Sequence, residues 1–294
     1  MLAADRMNLL RNSAAEQNSV IRSSHLLLVT QPAVKYIFRR RHVYANPWHG
    51  THSGGGTRYH MAAIPTDAVD FYSDVAASFH ESYKADANRQ ERVEVWRGFL
   101  DRYATQAKTG FDIGCGSGIF GCELARRGID TIGIDGARNM LAIAQRSARE
   151  QGLSNITFQQ HRLPIADTSV FDPADIIISS SAIEYLDSMP DALGFLRRLL
   201  KPGGVLIFSV SNRDSLSRKA VRLVHRVSGR PAYFGLLKQF MTVGDIQSDL
   251  RSAGLTYLEH AYFARADRIN RALGSFLPQR LASNMIIVAA RRDA

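Results

Sequence analysis

The chain has 294 residues, 45% of them hydrophobic, which is enough for a large globular domain with an apolar core. Its formal net charge is +10, but residues 1–60 carry eight Lys and Arg against two acids, so the charge left for the remainder argues against a nucleic-acid-binding groove. Cys115 and Cys122 match neither a redox CxxC motif nor a zinc site, and no apolar run reaches the ~20 residues of a membrane span, so we expect a cytoplasmic protein without a transmembrane helix.

The first sixty residues differ in composition from the rest of the chain. They contain an arginine cluster at 39–41 and a turn-rich, glycine-rich stretch at 46–60, with no sustained amphipathic period. We expect residues 1–60 to be a basic, mostly disordered extension with a short helix around 34–40. Two alternatives stay open, an organelle-targeting peptide and a start of synthesis at Met61.

Residues 61–105 have a helical pattern. Phe71, Val75, Phe79 and Tyr83 recur every four positions, and a second stripe of apolar residues follows. The spacing predicts two or three helices that form a lid leading into a core at 106–294. The simplest reading of the stripe is packing against that core.

Strands and helices alternate in the core. This order predicts a parallel sheet with helices on both faces. Strands are expected at 110–113, 130–134, 155–159, 174–179 and 205–210, and helices at 119–127, 137–151, 189–200 and 242–253. Two final strands, 255–263 and 282–292, have no long helix between them, which predicts a hairpin with one antiparallel strand.

A glycine-rich turn, DIGCGSG at 112–118, follows the first core strand. Its glycines allow close approach of a ligand to the backbone, and the next helix begins with unpaired N–H groups. Asp112 would repel a pyrophosphate but suits a ligand with a positive amino group, such as the aminoacyl end of S-adenosylmethionine. Asp135 ends the second strand, where a carboxylate can accept both hydroxyls of a ribose.

At this point the residues resemble the class I S-adenosylmethionine-dependent methyltransferases. DIGCGSG resembles the first family motif, D-x-G-x-G-x-G, and GIDGARNML the second, while LKPGGVLIFSV and the final two strands resemble later elements. The resemblance covers about residues 68–292. It implies an α/β fold, a Rossmann-like seven-stranded, mostly parallel sheet with one antiparallel strand near the C-terminus, and S-adenosylmethionine as co-substrate.

The resemblance also implies a set of contacts with S-adenosylmethionine. They fall on Asp112, Gly114, Cys115, Gly116, Gly118, Asp135, Gly136, Met140, Gln160 and His161. Asp112 would orient the amino group, and Asp135 would hold the ribose. Met140 would border the adenine or serve only as a core residue of its helix. Many relatives have an acid for the adenine amine where this chain has Gln160 and His161, and either side chain could accept that hydrogen bond.

No catalytic residue can be read from these motifs, because the methyl group is already activated and the protein chiefly has to orient the acceptor. We select Tyr83 for closure over the cofactor and Glu184 for a polar contact in the cleft. Some relatives bind a divalent metal with E-x-x-E-H after the fourth strand. Here Ser181 and Tyr185 replace two of those ligands, so we predict no metal.

The basic segment 213–241 is expected to be a substrate lid. It is compatible with an acidic or amphipathic small molecule, with peripheral contact to a membrane, or with a solvated basic face that packs on the sheet by its apolar side. The leading hypothesis is O- or N-methylation of a small molecule in secondary or cofactor metabolism. The alternatives are RNA or protein methylation and a non-catalytic, S-adenosylmethionine-binding partner subunit. The oligomeric state is not indicated.

Overall fold

A computed structural model describes residues 67–265 and 276–294. The expectations for residues 1–60, including the short helix, the targeting peptide and the alternative start at Met61, lie outside the described residues.

Three helices occupy the segment that leads into the core: α1 (Ala68–Asp74), α2 (Ala76–Ala85) and α3 (Ala87–Tyr103). Helix α3 begins after Asp86, whose carboxylate accepts the backbone N–H of Asn88 at 2.8 Å and so caps the helix. Its buried residues Trp96, Phe99 and Leu100 lie on one side of the helix. That side packs against the sheet, which fixes the lid helices to the core.

The core is one mixed sheet. Its strands are β1 (Thr109–Ile113), β2 (Asp130–Asp135), β3 (Ile156–Gln160), β4 (Ala174–Ser180), β5 (Leu200–Asn212), β6 (Phe240–Met241), β7 (Leu255–Arg265) and β8 (Ser283–Arg292). Seven strands follow the order β3-β2-β1-β4-β5-β8-β7, and the two-residue β6 pairs with β5. Among the described strands, β8 alone runs antiparallel to the rest of the sheet. The predicted fold class is confirmed, with β6 as a short addition.

Six further helices complete the described part of the chain: α4 (Ile119–Arg126), α5 (Arg138–Glu150), α6 (Met189–Arg198), α7 (Leu216–Ser228), α8 (Val243–Ser252) and α9 (Gln279–Ala282). Strand β5 shows how both faces of the sheet are covered. Phe208 and Val210 belong to a core cluster with α6 and α8, whereas Val205 and Ile207 belong to a second cluster with α3 and α4. A strand buried on both faces is therefore apolar at successive positions.

The order of the strands reverses between β1 and β4. In open α/β sheets, ligands bind at such a point, outside the carboxyl ends of the strands. The turn after β1, the turn after β4 and the lid helices meet there.

Candidate active site

The glycines of the turn after β1 serve two purposes. Gly114 and Gly118 have φ angles of 71° and 79°, and both are enclosed. A Cβ added at Gly114 would lie 2.1 Å from the Cβ of Ala182, and one at Gly118 would lie 2.8 Å from the Cβ of Ala144. These two glycines are required by backbone conformation and by close packing.

Gly116 is less enclosed than Gly114 and Gly118, because an added Cβ there would make only ordinary van der Waals contacts. Its φ angle is 52°, and a Cβ there would meet nothing closer than Cε1 of Phe79 at 3.9 Å and Sδ of Met140 at 4.0 Å. The surface of the turn that a ligand can approach is therefore the backbone of Gly116.

Asp135, at the end of β2, holds the turn in place. Its Oδ2 accepts the N–H of Gly116 and its Oδ1 accepts the N–H of Ala137, both at 2.8 Å. Burial raises the pKa of Asp135, while these backbone hydrogen bonds oppose the rise. Each carboxylate oxygen can accept a second hydrogen bond, so a ribose can be held without breaking the turn.

Asp112 is a buried carboxyl group that lacks a partner. It is 1% exposed, and neither oxygen makes a hydrogen bond within the described residues. Burial raises its pKa to about 7; the nearby backbone N–H of Gly121 opposes the rise, and the charge of Asp135 adds to it. Buried polar groups in native proteins are normally paired. A cationic amino group is a chemically suitable partner for this one.

Gln160 and His161 lie differently at the end of β3. Nε2 of Gln160 donates to the carbonyl of Gly136 at 3.1 Å. Both residues line a shallow pocket. The ring of His161 instead packs edge-on against Phe171, with centroids 5.6 Å apart. The geometry places Gln160, rather than His161, beside the turn after β2.

Helices α1 and α2 cover these turns. A Cβ at Gly136 would lie 2.7 Å from Cγ2 of Val69 in α1. Met140 is 1% exposed and belongs to an apolar cluster that includes Val69, Tyr72 and Phe79 of the lid. Met140, the position expected to border the adenine, is therefore covered by side chains of α1 and α2.

Two tyrosines join the lid to the end of β4. The hydroxyl groups of Tyr72 and Tyr185 are 2.6 Å apart, and their rings meet edge-on. Burial raises the pKa of Tyr72 to about 12 and that of Tyr185 well above its ordinary value. Both side chains therefore stay protonated at neutral pH.

Tyr83 packs edge-on against two phenylalanine rings. Its ring centroid lies 5.6 Å from that of Phe79 and 6.4 Å from that of Phe120, and the guanidinium group of Arg89 lies 4.9 Å from it. Tyr83 supports Phe79, which faces Gly116. The tyrosine that reaches β4 is Tyr72.

Glu184 is buried, with an exposed fraction of 3%. Its Oε2 accepts the N–H of Ser211 in β5 at 2.6 Å, and its carbonyl accepts the N–H groups of Lys238 and Gln239, each at 3.0 Å. Burial raises its pKa, while the positive charge of Arg218 and then that of Arg92 oppose the rise. Glu184 thus joins the turn after β4 to β5 and to the segment 213–241.

Arg92 extends from α3 to the same end of the sheet. It donates to Oγ of Ser180 at 3.2 Å and to Oγ of Ser181 at 2.9 Å. Within residues 67–265 and 276–294, Arg92 has no carboxylate within salt-bridge distance. Its guanidinium group also lies 5.5 Å from the ring centroid of Phe263. With hydroxyls as its described hydrogen-bond partners, it can still pair with an anionic group of a ligand.

Comparison with known proteins identifies the class of site. A family model described as a methyltransferase domain matches residues 86–260, which is more than half of the chain. The chain belongs to the class I S-adenosylmethionine-dependent methyltransferases. Its co-substrate is S-adenosylmethionine.

Relatives of this methyltransferase include the ubiquinone biosynthesis O-methyltransferase of Acinetobacter baumannii (strain ACICU). The two are 28% identical over 157 residues, which cover 50% of this chain and 63% of the relative. The chain thus spans less than two thirds of that relative's length.

Solved structures share the fold of the methyltransferase at low sequence identity. The 4+2 cyclase SpnF superposes with a TM-score of 0.57 at 18% identity, covering 79% of this chain and 98% of its own. The N-methyltransferase NodS of Bradyrhizobium japonicum WM9, in complex with S-adenosyl-l-homocysteine, has a TM-score of 0.52 at 19% identity and covers 72% and 91%. These similarities establish the fold and leave the acceptor open.

The residues of this methyltransferase fit its co-substrate. The amino group of S-adenosylmethionine matches the unpaired carboxyl of Asp112, and Gly116 is the least enclosed of the three glycines in the turn. Most of the residues assigned to the cofactor from the sequence lie around the turns after β1 and β2. Sequence reasoning missed Arg92, because a single arginine on a helix forms no motif.

No group of three or more His, Cys, Asp or Glu in the described part of the chain could hold a metal ion. The absence of a metal stays a prediction. None of the described helices is long and apolar enough to cross a membrane.

Proposed function

We propose that this methyltransferase transfers the methyl group to a hydroxyl oxygen of a small-molecule acceptor. The observation that carries the proposal is the lid contact between Tyr72 and Tyr185, where α1 meets the turn after β4. A lid that reaches across the site leaves room for a small acceptor, whereas a polymer requires an open face. The O-methyltransferase relative supports oxygen as the methylated atom.

Each residue that we assign to the co-substrate contacts a different part of S-adenosylmethionine. Asp112 pairs with the amino group and Arg92 with the carboxylate of the methionyl part. Asp135 accepts hydrogen bonds from the ribose beside the backbone of Gly116, and Gln160 faces the adenine edge. S-adenosylmethionine supplies an activated methyl group, so orientation and exclusion of water are the main tasks of the protein.

Protonated tyrosines suit the acceptor side. Tyr72 and Tyr185 can donate to or accept from an acceptor hydroxyl, but their raised pKa values make them poor bases. Glu184 is the buried carboxyl nearest in sequence to Tyr185, and its hydrogen bonds to β5 and to 238–239 give it an anchoring role. Tyr83 keeps its proposed part in closure through Phe79, against which it packs.

An acceptor screen tests the proposal. Purified protein with S-adenosylmethionine is offered matched phenols, catechols, aliphatic alcohols and amines, and separately RNA and protein, and release of S-adenosylhomocysteine is measured. We expect turnover with hydroxylated small molecules. Turnover restricted to RNA or protein would support the macromolecular alternative. Tight cofactor binding without turnover of any class would support a non-catalytic partner subunit.

A further inference from the structure

Helix α7 presents its apolar side to solvent. Leu216, Leu223 and Val227 are 45%, 65% and 86% exposed, and Ala220 between them is exposed as well. Positions 216, 220, 223 and 227 follow a spacing of four, three and four, so they form one stripe along the helix. No residue of α7 is buried.

The opposite side of α7, which includes the half-buried Val221, packs on the protein mainly through polar and cationic residues. Nη2 of Arg218 lies 3.2 Å from Sδ of Met285, and the guanidinium of Arg222 lies 4.5 Å from the ring centroid of Phe240. The ring of His225 packs on an aromatic ring of the following turn. A surface helix of a globular protein normally has the reverse arrangement. The expectation that the apolar side of this segment packs on the sheet is therefore wrong for α7.

The charge along α7 and the segment that follows it has one sign. Between Ser215 and Gly244 the chain has six Lys and Arg and no Asp or Glu. Lys219 and Arg226 are exposed and follow Leu216 and Leu223, respectively, by three residues, so both lie on the same flank of the helix. An exposed apolar stripe bordered by cations is complementary to an anionic, partly apolar surface.

The helix is held firmly to the core. Oγ of Ser215 hydrogen-bonds Oδ1 of Asn284 at 2.8 Å, and Asn212, just before the helix, donates to the carbonyl of Ser283 at 2.8 Å. Helix α9 packs against α7, and Phe276, three residues before α9, is 85% exposed. The apolar surface is thus presented by a fixed element.

We propose that α7 binds the surface of an anionic phospholipid bilayer. Leu216, Leu223 and Val227 enter the boundary between headgroups and acyl chains, while Lys219 and Arg226 contact lipid phosphates. The helix lies parallel to the membrane plane. This docking surface is separate from the proposed chemistry, so each can fail without the other.

Sedimentation of the full chain with vesicles tests the proposal. Vesicles of phosphatidylcholine are compared with vesicles that also contain phosphatidylglycerol, at low and raised salt, without any acceptor. We expect binding to the anionic vesicles that weakens as salt rises. The double variants Leu223→Gln/Val227→Gln and Lys219→Gln/Arg226→Gln should each lower the partition coefficient at least about tenfold.

Matched controls make the result specific to α7. Val170 is 67% exposed elsewhere on the surface, and Arg146 and Arg149 are exposed on α5. Val170→Gln and Arg146→Gln/Arg149→Gln should bind vesicles as the unchanged protein does. Equal losses in controls and α7 variants, or no preference for anionic lipid, would overturn the proposal. So would a dimer in sedimentation velocity that Leu223→Gln/Val227→Gln dissociates, because a second copy would then cover the stripe.

Discussion

The turns after β1 and β2, which we propose to hold the co-substrate, follow neighbouring strands, whereas the proposed acceptor side is assembled from segments far apart in the chain. Asp135 and Gly116, on the cofactor side, are 19 positions apart. Tyr72 and Tyr185, on the acceptor side, are 113 positions apart. The first side depends on backbone conformation, and the second depends on which side chains the lid and the β4 end bring together.

This difference indicates which residues related methyltransferases can share and which residues can differ between them. Glycine positions with left-handed φ angles tolerate few substitutions, so they retain a motif. Side chains on helices that fold over the sheet can change without disturbing the turns. The same fold therefore accommodates many acceptors, and even a cyclase shares it.

Gly114→Ala is expected to have the largest effect, because Gly114 is the most enclosed glycine of the turn after β1. The added Cβ would lie 2.1 Å from the Cβ of Ala182, at a φ angle of 71°. We expect a loss of about 3 kcal/mol in the free energy of unfolding, measured with denaturant. Gly128 also has a positive φ angle but no atom within 4 Å of an added Cβ. Gly128→Ala should cost about 1–2 kcal/mol, and equal losses would contradict the packing role of Gly114.

Asp135→Ala tests the hydrogen bonds of the cofactor side. Loss of a carboxylate that holds the turn and accepts from the ribose should weaken S-adenosylhomocysteine binding by about 1.5–3 kcal/mol, measured by calorimetry. Asp130, exposed at the start of the same strand, provides the control. An affinity unchanged in Asp135→Ala would show that the ribose lies elsewhere.

Arg92→Gln tests whether the lid contributes to cofactor binding. Loss of the guanidinium group should weaken S-adenosylhomocysteine binding about tenfold. Arg92→Lys should recover part of the loss, because it restores the charge without the planar fork. If Arg92→Gln lowered only the acceptor kcat/KM, the arginine would belong to the acceptor side.

Asp112 gives the cofactor side a pH dependence. Its pKa of about 7 in the free protein lies above the ordinary value of 3.8, so folding takes up a proton between these values and the free energy of unfolding falls as pH rises from 4 towards 7. The ionised form is the one that pairs with an ammonium group. Cofactor binding should therefore be several-fold weaker at pH 6 than at pH 7.5. Asp112→Asn should remove both trends, and their persistence would assign them to another group.

The glycine turn after β1 could be predicted from the sequence for a physical reason. The positive φ angles at Gly114, Gly116 and Gly118 favour glycine. The conformation of the turn can therefore be inferred from the residue types in the sequence. The choice between Gln160 and His161 stayed open because it depends on how His161 packs against Phe171, a contact between distant side chains.

The acceptor side shows where sequence periodicity stops being informative. The recurrence of residues 71, 75, 79 and 83 predicts one helical face, which includes Tyr83. The structure divides it at Val75, where α1 ends and α2 begins. A break in the helix rotates the two halves relative to each other, so Tyr72, outside the stripe, reaches Tyr185. Nothing in the local pattern marks that break.

Tyr72→Phe has the smallest expected effect, and it distinguishes the role of Tyr72 from that of Tyr83. Loss of the hydroxyl that contacts Tyr185 should lower the acceptor kcat/KM about threefold, the value of one neutral hydrogen bond, and leave cofactor affinity unchanged. Tyr83→Phe is the matched control, because its hydroxyl has only a 3.4 Å contact from Arg89 and its ring packing is retained. The reverse ranking would restore Tyr83 as the residue whose hydroxyl acts in closure. Equal, negligible effects would place the acceptor away from both tyrosines.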